Sequence, residues 1–93
     1  EAGGISVERS SHTVWVDNKK VPLTPKEYAL LECLMRNKGL VMSREQLLVK
    51  CWGYDYEGEA RVVDTHIKRL REKLGESADC IKTVIKVGYK LEG

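Results

Sequence analysis

The sequence predicts an α+β domain: a small N-terminal antiparallel sheet, three helices and a C-terminal β-hairpin. Three observations carry this. Apolar and polar residues alternate through the first quarter, the period of half-buried strands. Between Thr24 and Leu74 the apolar spacing changes to three and four, and two capping boxes punctuate it. From Ile81 to Leu91 the alternation returns. The 93 residues suffice for one domain with a modest core. Residues 5–93 are read as that domain, and Glu1-Ala-Gly-Gly4 as a linker end. There is no internal repeat and no low-complexity tract.

Taken in order, Ile5 and Val7 share one side of a first strand. Val14 and Val16 share one side of a second, with Trp15 on the other. Asp17-Asn-Lys-Lys20 signals a turn, and Val21-Pro-Leu23 forms a short third strand. Such a sheet is marginally stable alone, so its apolar face must cover something. Thr24-Pro-Lys-Glu27 then opens a helix. Thr24 is the N-cap, Pro25 suits the first helical position, and Glu27 completes the capping box. Tyr28, Leu31, Leu34 and Met35 follow at helical spacing, and the helix ends near Asn37-Lys-Gly39 with Gly39 left-handed. Leu40-Val-Met42 is short and extended. Ser43-Arg-Glu-Gln46 is a second capping box, and the helix it opens has Leu47, Leu48, Cys51 and Trp52 as its apolar side, stopped by Gly53. Tyr54 to Ala60 is a loop. A third helix runs to Leu74-Gly75, and Glu76-Ser-Ala-Asp79 is a polar link. Ile81-Lys-Thr-Val84 and Tyr89-Lys-Leu91 make a hairpin with a lysine at its tip.

The third helix, Arg61 to Leu74, has two different faces. Val63, Ile67, Leu70 and Leu74 fall on one narrow apolar stripe, while Arg61, Thr65, Lys68 and Arg69 fall opposite. One face can anchor to a core while the other offers cations and a hydroxyl, which suits the major groove of duplex DNA. The charge distribution agrees. Net charge is only +2, but residues 1–60 hold 8 basic and 9 acidic side chains, whereas residues 61–93 hold 8 and 5. Positive potential gathered in one third of the chain suits a polyanion met on one side. Two helices joined by a loop and followed by a hairpin make a winged helix-turn-helix. The recognition helix spans about residues 60–74 and the wing about 81–91.

Other classes fit poorly. No apolar run here could span a bilayer, and no n-region plus h-region marks a signal peptide. The three cysteines, Cys33, Cys51 and Cys80, are widely spaced, and His12 and His66 fit no finger spacing, so no metal site is expected. Cys33 and Cys51 lie in apolar helix patterns as reduced structural thiols, which implies a reducing compartment. Asp64 and His66, two apart on a helix, face different ways and make no catalytic dyad. There is no glycine-rich phosphate loop and no H-E-x-x-H. No enzyme activity and no cofactor are expected. A winged helix that binds a protein partner is the rival reading. RNA binding is weakened by the absence of an aromatic stacking platform.

The residues resemble a known family, the DNA-binding effector domains of OmpR/PhoB-type bacterial two-component response regulators. The matching motifs are Leu23-Thr-Pro-Lys-Glu-Tyr-Ala-Leu-Leu31, Ser43-Arg-Glu-Gln-Leu-Leu48, Trp52-Gly53, Arg61-Val-Val-Asp-Thr-His-Ile-Lys-Arg-Leu-Arg71 and Gly88-Tyr-Lys90. They run in order at the expected spacing over nearly the whole chain. The resemblance implies an upstream receiver domain phosphorylated on aspartate, tandem binding of an otherwise monomeric domain to direct-repeat promoter sites, and a cytoplasmic location. It also implies contact with RNA polymerase through the loop Tyr54, Asp55, Tyr56, Glu57, Gly58 and Glu59. The family's N-terminal sheet has four strands where three are counted here, so a first strand is expected to lie before this segment. The wing departs too. The family pattern Thr-Val-Arg-Gly-x-Gly-Tyr reads Thr83-Val-Ile-Lys-Val-Gly-Tyr89 here, with Ile85 in place of the groove-reaching arginine.

Site residues follow. Arg61, Thr65 and Lys68 point most directly away from the core and are assigned to base edges, with Val62 and the Thr65 methyl available to a thymine methyl. His66 and Arg71, on the flanks, are assigned to the DNA backbone. The resemblance makes Arg69 a phosphate or groove contact. Asp64 is expected to pair within its helix with Lys68 or Arg71. Trp52 suits the core as an apolar helix end, while the resemblance places it near the DNA backbone; both readings stand. Thr83 and Tyr89 carry hydroxyls suited to phosphate, although Tyr89 also suits packing, and Lys86 can reach a phosphate.

Overall fold

The structure, a computed structural model, describes residues 3–92. Glu1 and Ala2 of the expected linker end lie outside them. Gly3 and Gly4 do not trail free: the Gly3 carbonyl accepts from the Ser77 hydroxyl at 2.8 Å, and the Gly4 carbonyl from the Asp17 N–H at 2.9 Å.

Three strands form the N-terminal sheet in the order β1 (Ile5–Glu8), β2 (Thr13–Val16), β3 (Lys19–Val21), all antiparallel. Ile5 and Val14 are fully buried on its inner face, as the alternation requires. The third strand sits two residues earlier than the sequence suggested. Val16 pairs with Lys19, so the turn is only Asp17-Asn18. Both have positive φ, 50° and 69°, the geometry of a two-residue hairpin that Asp and Asn tolerate. Lys19 and Lys20 read as turn residues because they face solvent on an edge strand, and Pro22, lacking an N–H, falls outside the ladder.

Both predicted capping boxes are formed. Thr24 accepts from the Glu27 N–H and Ser43 from the Gln46 N–H, with Glu27 and Gln46 accepting in return from the cap backbone. They open α1 (Pro25–Arg36) and α2 (Arg44–Trp52). Gly53 ends α2 with φ 102°. The third helix, α3, spans Arg61–Leu74. Its apolar stripe is the centre of the core: Val63, Ile67, Leu70 and Leu74 are at most 1% exposed and join Leu30, Leu31 and Leu34 of α1 in one cluster. The residues read as a polar link after Leu74 instead wind into a 3₁₀ helix, Gly75–Cys80, with Ser77 buried against Gly3. A buried serine looks like a loop residue until its partner, 74 positions away, is known.

The hairpin consists of β5 (Ile81–Val84) and β6 (Gly88–Leu91), so Gly88 belongs to the second strand and does not merely precede it. It carries a third strand at the end of the stretch that reads as short and extended, Leu40-Val-Met42, whose pairing no local pattern announces. β4 (Met42–Ser43), just before α2, pairs with β6 through Met42–Tyr89 and Ser43–Gly88. Gly88 is required there, since a Cβ would run into the Met42 carbonyl oxygen. The wing is thereby fixed to the start of α2. Cys33 is buried, Cys51 and Cys80 are half-buried, and all are free thiols. Burial pushes the Cys51 thiol up to about 11, so it stays protonated and behaves as a small apolar group.

Candidate nucleic-acid interface

With its apolar stripe sunk in the core, α3 turns Arg61, Thr65, Lys68 and Arg69 outward, all exposed. The side chains of Arg61, Lys68 and Arg69 have no hydrogen-bond or ion-pair partner among the described residues. Thr65 bonds back to the Arg61 carbonyl at 3.3 Å, which leaves its methyl and hydroxyl oxygen on the surface. Val62 is half-buried against the core.

His66 and Trp52 sit on one flank. His66 Nδ1 lies 2.9 Å from the Val62 carbonyl. A carbonyl only accepts, so Nδ1 carries a proton. The Trp52 ring meets His66 edge-on at 5.1 Å and Tyr56 at 6.2 Å, and the Lys26 ammonium lies 5.3 Å from its centroid. Lys26 also donates to the Cys51 carbonyl at 2.6 Å, closing the end of α2. Trp52 is half-buried and packed on the core, as its place at an apolar helix end suggested.

The other flank differs from the sequence reading. Asp64 makes no pair within α3. Its carboxylate accepts from Arg44 Nη1 at 2.8 Å and from the Tyr89 hydroxyl at 2.6 Å. Helical spacing favoured Lys68 and Arg71 as partners, but α2 and β6 bring Arg44 and Tyr89 closer. Tyr89 gives its only proton to Asp64 and cannot also donate it to phosphate. Burial, reinforced by the Asp64 hydrogen bond and charge, pushes this phenol up to about 12, so it remains a donor. Arg71, read as a backbone-facing cation, is half-buried. Its Nη2 donates to the Ile81 carbonyl at 2.7 Å and the Thr83 hydroxyl at 2.8 Å, with the guanidinium 5.6 Å from the Tyr89 centroid. It braces the wing against α3. Thr83 accepts from Arg71 and so keeps its own proton to donate.

Sequence reasoning missed Arg44. It stands first in α2, exposed, at the mouth of a cleft of about 340 Å³ lined also by Asp64, Thr83, Lys86 and Tyr89. The signal was present, a cation at the first position of α2, but the segment reads as a capping box and a family motif, with no role singled out for Arg44. At the wing tip Ile85 and Val87 are 80% and 50% exposed. Lys86 between them is exposed with φ 67°, a left-handed position that favours glycine. The loop Tyr54–Glu59 is exposed throughout, with Tyr54 at 91%. Among the described residues no group of His, Cys, Asp and Glu side chains could hold a metal ion, and no helix is long and apolar enough to cross a membrane.

Comparison with known proteins agrees with this geometry. Residues 18–91 match the family described as "Transcriptional regulatory protein, C terminal". The transcriptional regulatory protein SrrA of Staphylococcus aureus is 49% identical over 92 residues, 95% of this chain and 38% of SrrA. The chain thus spans well under half of that relative. The DNA-binding domain of Klebsiella pneumoniae RstA, solved in complex with the RstA box, superposes with a TM-score of 0.87 at 32% identity, covering 99% of this chain and 94% of that one. The response regulator DrrB of Thermotoga maritima, an OmpR/PhoB homolog, gives 0.89 at 34% identity over 100% of this chain and 43% of its own.

Proposed function

The chain belongs to the family of transcriptional regulatory protein C-terminal domains, of the OmpR/PhoB type, and from that premise we propose that it binds duplex promoter DNA through α3 as the output domain of a response regulator. The observation that carries this reading is the outer face of α3. Arg61, Lys68 and Arg69 stand there without partners among the described residues, on a helix whose opposite stripe is locked in the core. Arg61, Thr65 and Lys68 meet base edges in the major groove, with Val62 and the Thr65 methyl near thymine methyls. Arg69 and Arg44 meet the phosphates that flank the helix, and Lys86 and Thr83 those beneath the wing. Arg71, Tyr89 and Asp64 hold the wing at its angle to α3, while His66 and Trp52 pack the other flank. A partner-protein interface fits less well, because the presented surface is cationic and hydroxylic with little apolar area.

The resemblance supports the rest of the assignment. The segment belongs to a cytoplasmic regulator whose receiver domain controls tandem binding to direct repeats, and Tyr54–Glu59 contacts RNA polymerase. Three acids on that loop, Asp55, Glu57 and Glu59, would repel phosphate, which favours a protein partner there. The test is selection from a random duplex pool, followed by affinity measurement across a salt series with single-stranded competitor. Enrichment of one motif, a steep fall of affinity with salt and indifference to single strands are expected. A salt-independent, sequence-blind association would sink the reading.

A further inference from the structure

Away from α3 and the wing, the outer side of α1 and the β1–β2 turn enclose a cleft of about 450 Å³. Pro25, Ala29, Glu32 and Arg36 line it along one stripe of α1, and Arg9 and His12 close it from the turn. Its floor is Tyr28, 7% exposed, with the His12 ring stacked on it at 4.4 Å and 12° between planes. His12 holds that position with φ 53°, a conformation that local structure must enforce in a non-glycine residue and that often marks function.

Two features point to a ligand. The Tyr28 hydroxyl is buried and has no hydrogen-bond partner among the described residues, an arrangement native proteins seldom leave uncompensated. Tyr28 lines the cleft together with Glu32, Arg9 and Arg36, which form its charged rim. At that rim Glu32 Oε2 meets Nε of Arg36 and, at 3.6 Å, Nε of Arg9. Glu32 thus grips both guanidiniums by Nε and leaves their terminal forks without partners among the described residues. Those forks are the part of arginine that matches a carboxylate or phosphate. Two guanidiniums against one carboxylate leave the cleft positive.

We propose that this cleft binds a small oxyanion-bearing ligand, a phosphate or carboxylate compound, with the Tyr28 hydroxyl donating from the floor and the Arg9 and Arg36 forks closing on the charge. Isotope-labelled protein titrated with inorganic phosphate, and separately with succinate, at ionic strength held constant with chloride, tests it through the Nε–H resonances of Arg9 and Arg36. Saturable shifts are expected with at least one of the two, and the tighter anion identifies the ligand class. Tyr28→Phe, which keeps the ring stack, should weaken that binding about fivefold, the worth of one hydrogen bond. Arg36→Gln should weaken it further, and the response of Arg61 and Arg69 to phosphate should be unchanged in both variants. Shifts that rise without saturation for both anions, or a saturable response that Tyr28→Phe leaves intact, overturn the proposal.

Discussion

Lys68 and Asp64 stand on the same helix, four residues apart, and the structure gives them opposite surroundings. Lys68 is exposed and has no partner among the described residues. Lys68→Ala should weaken binding to the selected site by about 1–3 kcal/mol if it reads a base edge. Equal loss on scrambled duplex, measured by fluorescence anisotropy, would demote it to a phosphate contact. Asp64, by contrast, holds Arg44 at 2.8 Å and Tyr89 at 2.6 Å. Asp64→Ala strands a half-buried hydroxyl and should cost about 1–3 kcal/mol of stability. It also removes an anion beside the DNA face, so affinity for non-specific duplex should rise while discrimination falls. Asp64→Asn, which still accepts from Tyr89, should recover part of the stability but not the discrimination. Denaturation curves that superpose for all three proteins would mean that this network is idle.

The wing and the loop are the elements to which the proposed function assigns phosphate and polymerase contacts. In the wing, Lys86 occupies a left-handed position at the tip. Lys86→Gly should therefore stabilise the domain by up to about 1 kcal/mol while removing a phosphate contact. Its log–log salt slope should flatten by about one unit, equally on all sequences. A stability gain with an unchanged slope would place Lys86 outside the interface. Ile85 cannot compensate the negative potential of a narrow groove, so flanking A·T tracts should matter little. In the loop, Tyr56 and Glu57 are exposed. Replacing both with alanine should leave DNA affinity intact and lower transcription from a target promoter. Loss of affinity in a folded variant would contradict that separation of roles.

At the scale of the molecule, an ion pair ties α1 to α3: Glu27 and Lys73, 2.6 Å apart and 46 residues apart in sequence. Glu27 is 2% exposed. Burial alone would raise its carboxyl, but the hydrogen bond and charge of Lys73, with the Thr24 N–H and hydroxyl, outweigh it and hold the carboxyl below its ordinary 4.5. A group whose folded value is depressed adds stability above its unfolded value and loses it as pH falls through the folded one. Stability should therefore decline as pH drops below about 4.5. Glu27→Gln should be less stable at neutral pH and show a shallower decline. Parallel pH–stability curves for the two proteins would show that another carboxylate governs the acid limb.

What the sequence by itself determined is local. The two capping boxes, the 3.6-residue stripe of Val63, Ile67, Leu70 and Leu74, and the cationic face opposite it were legible because each depends on residues within a turn or two. The order of elements followed, and with it the helix proposed to meet DNA. The tertiary structure decided the pairings between elements: Asp64 with Arg44 and Tyr89, Arg71 with the wing, β4 with β6, Ser77 with Gly3. No periodicity encodes these, because they depend on where separate elements come to rest against one core. The same holds for the cleft over Tyr28. Its histidine, tyrosine and arginines lie on a turn and a helix that each look ordinary alone, and only packing brings them to one place.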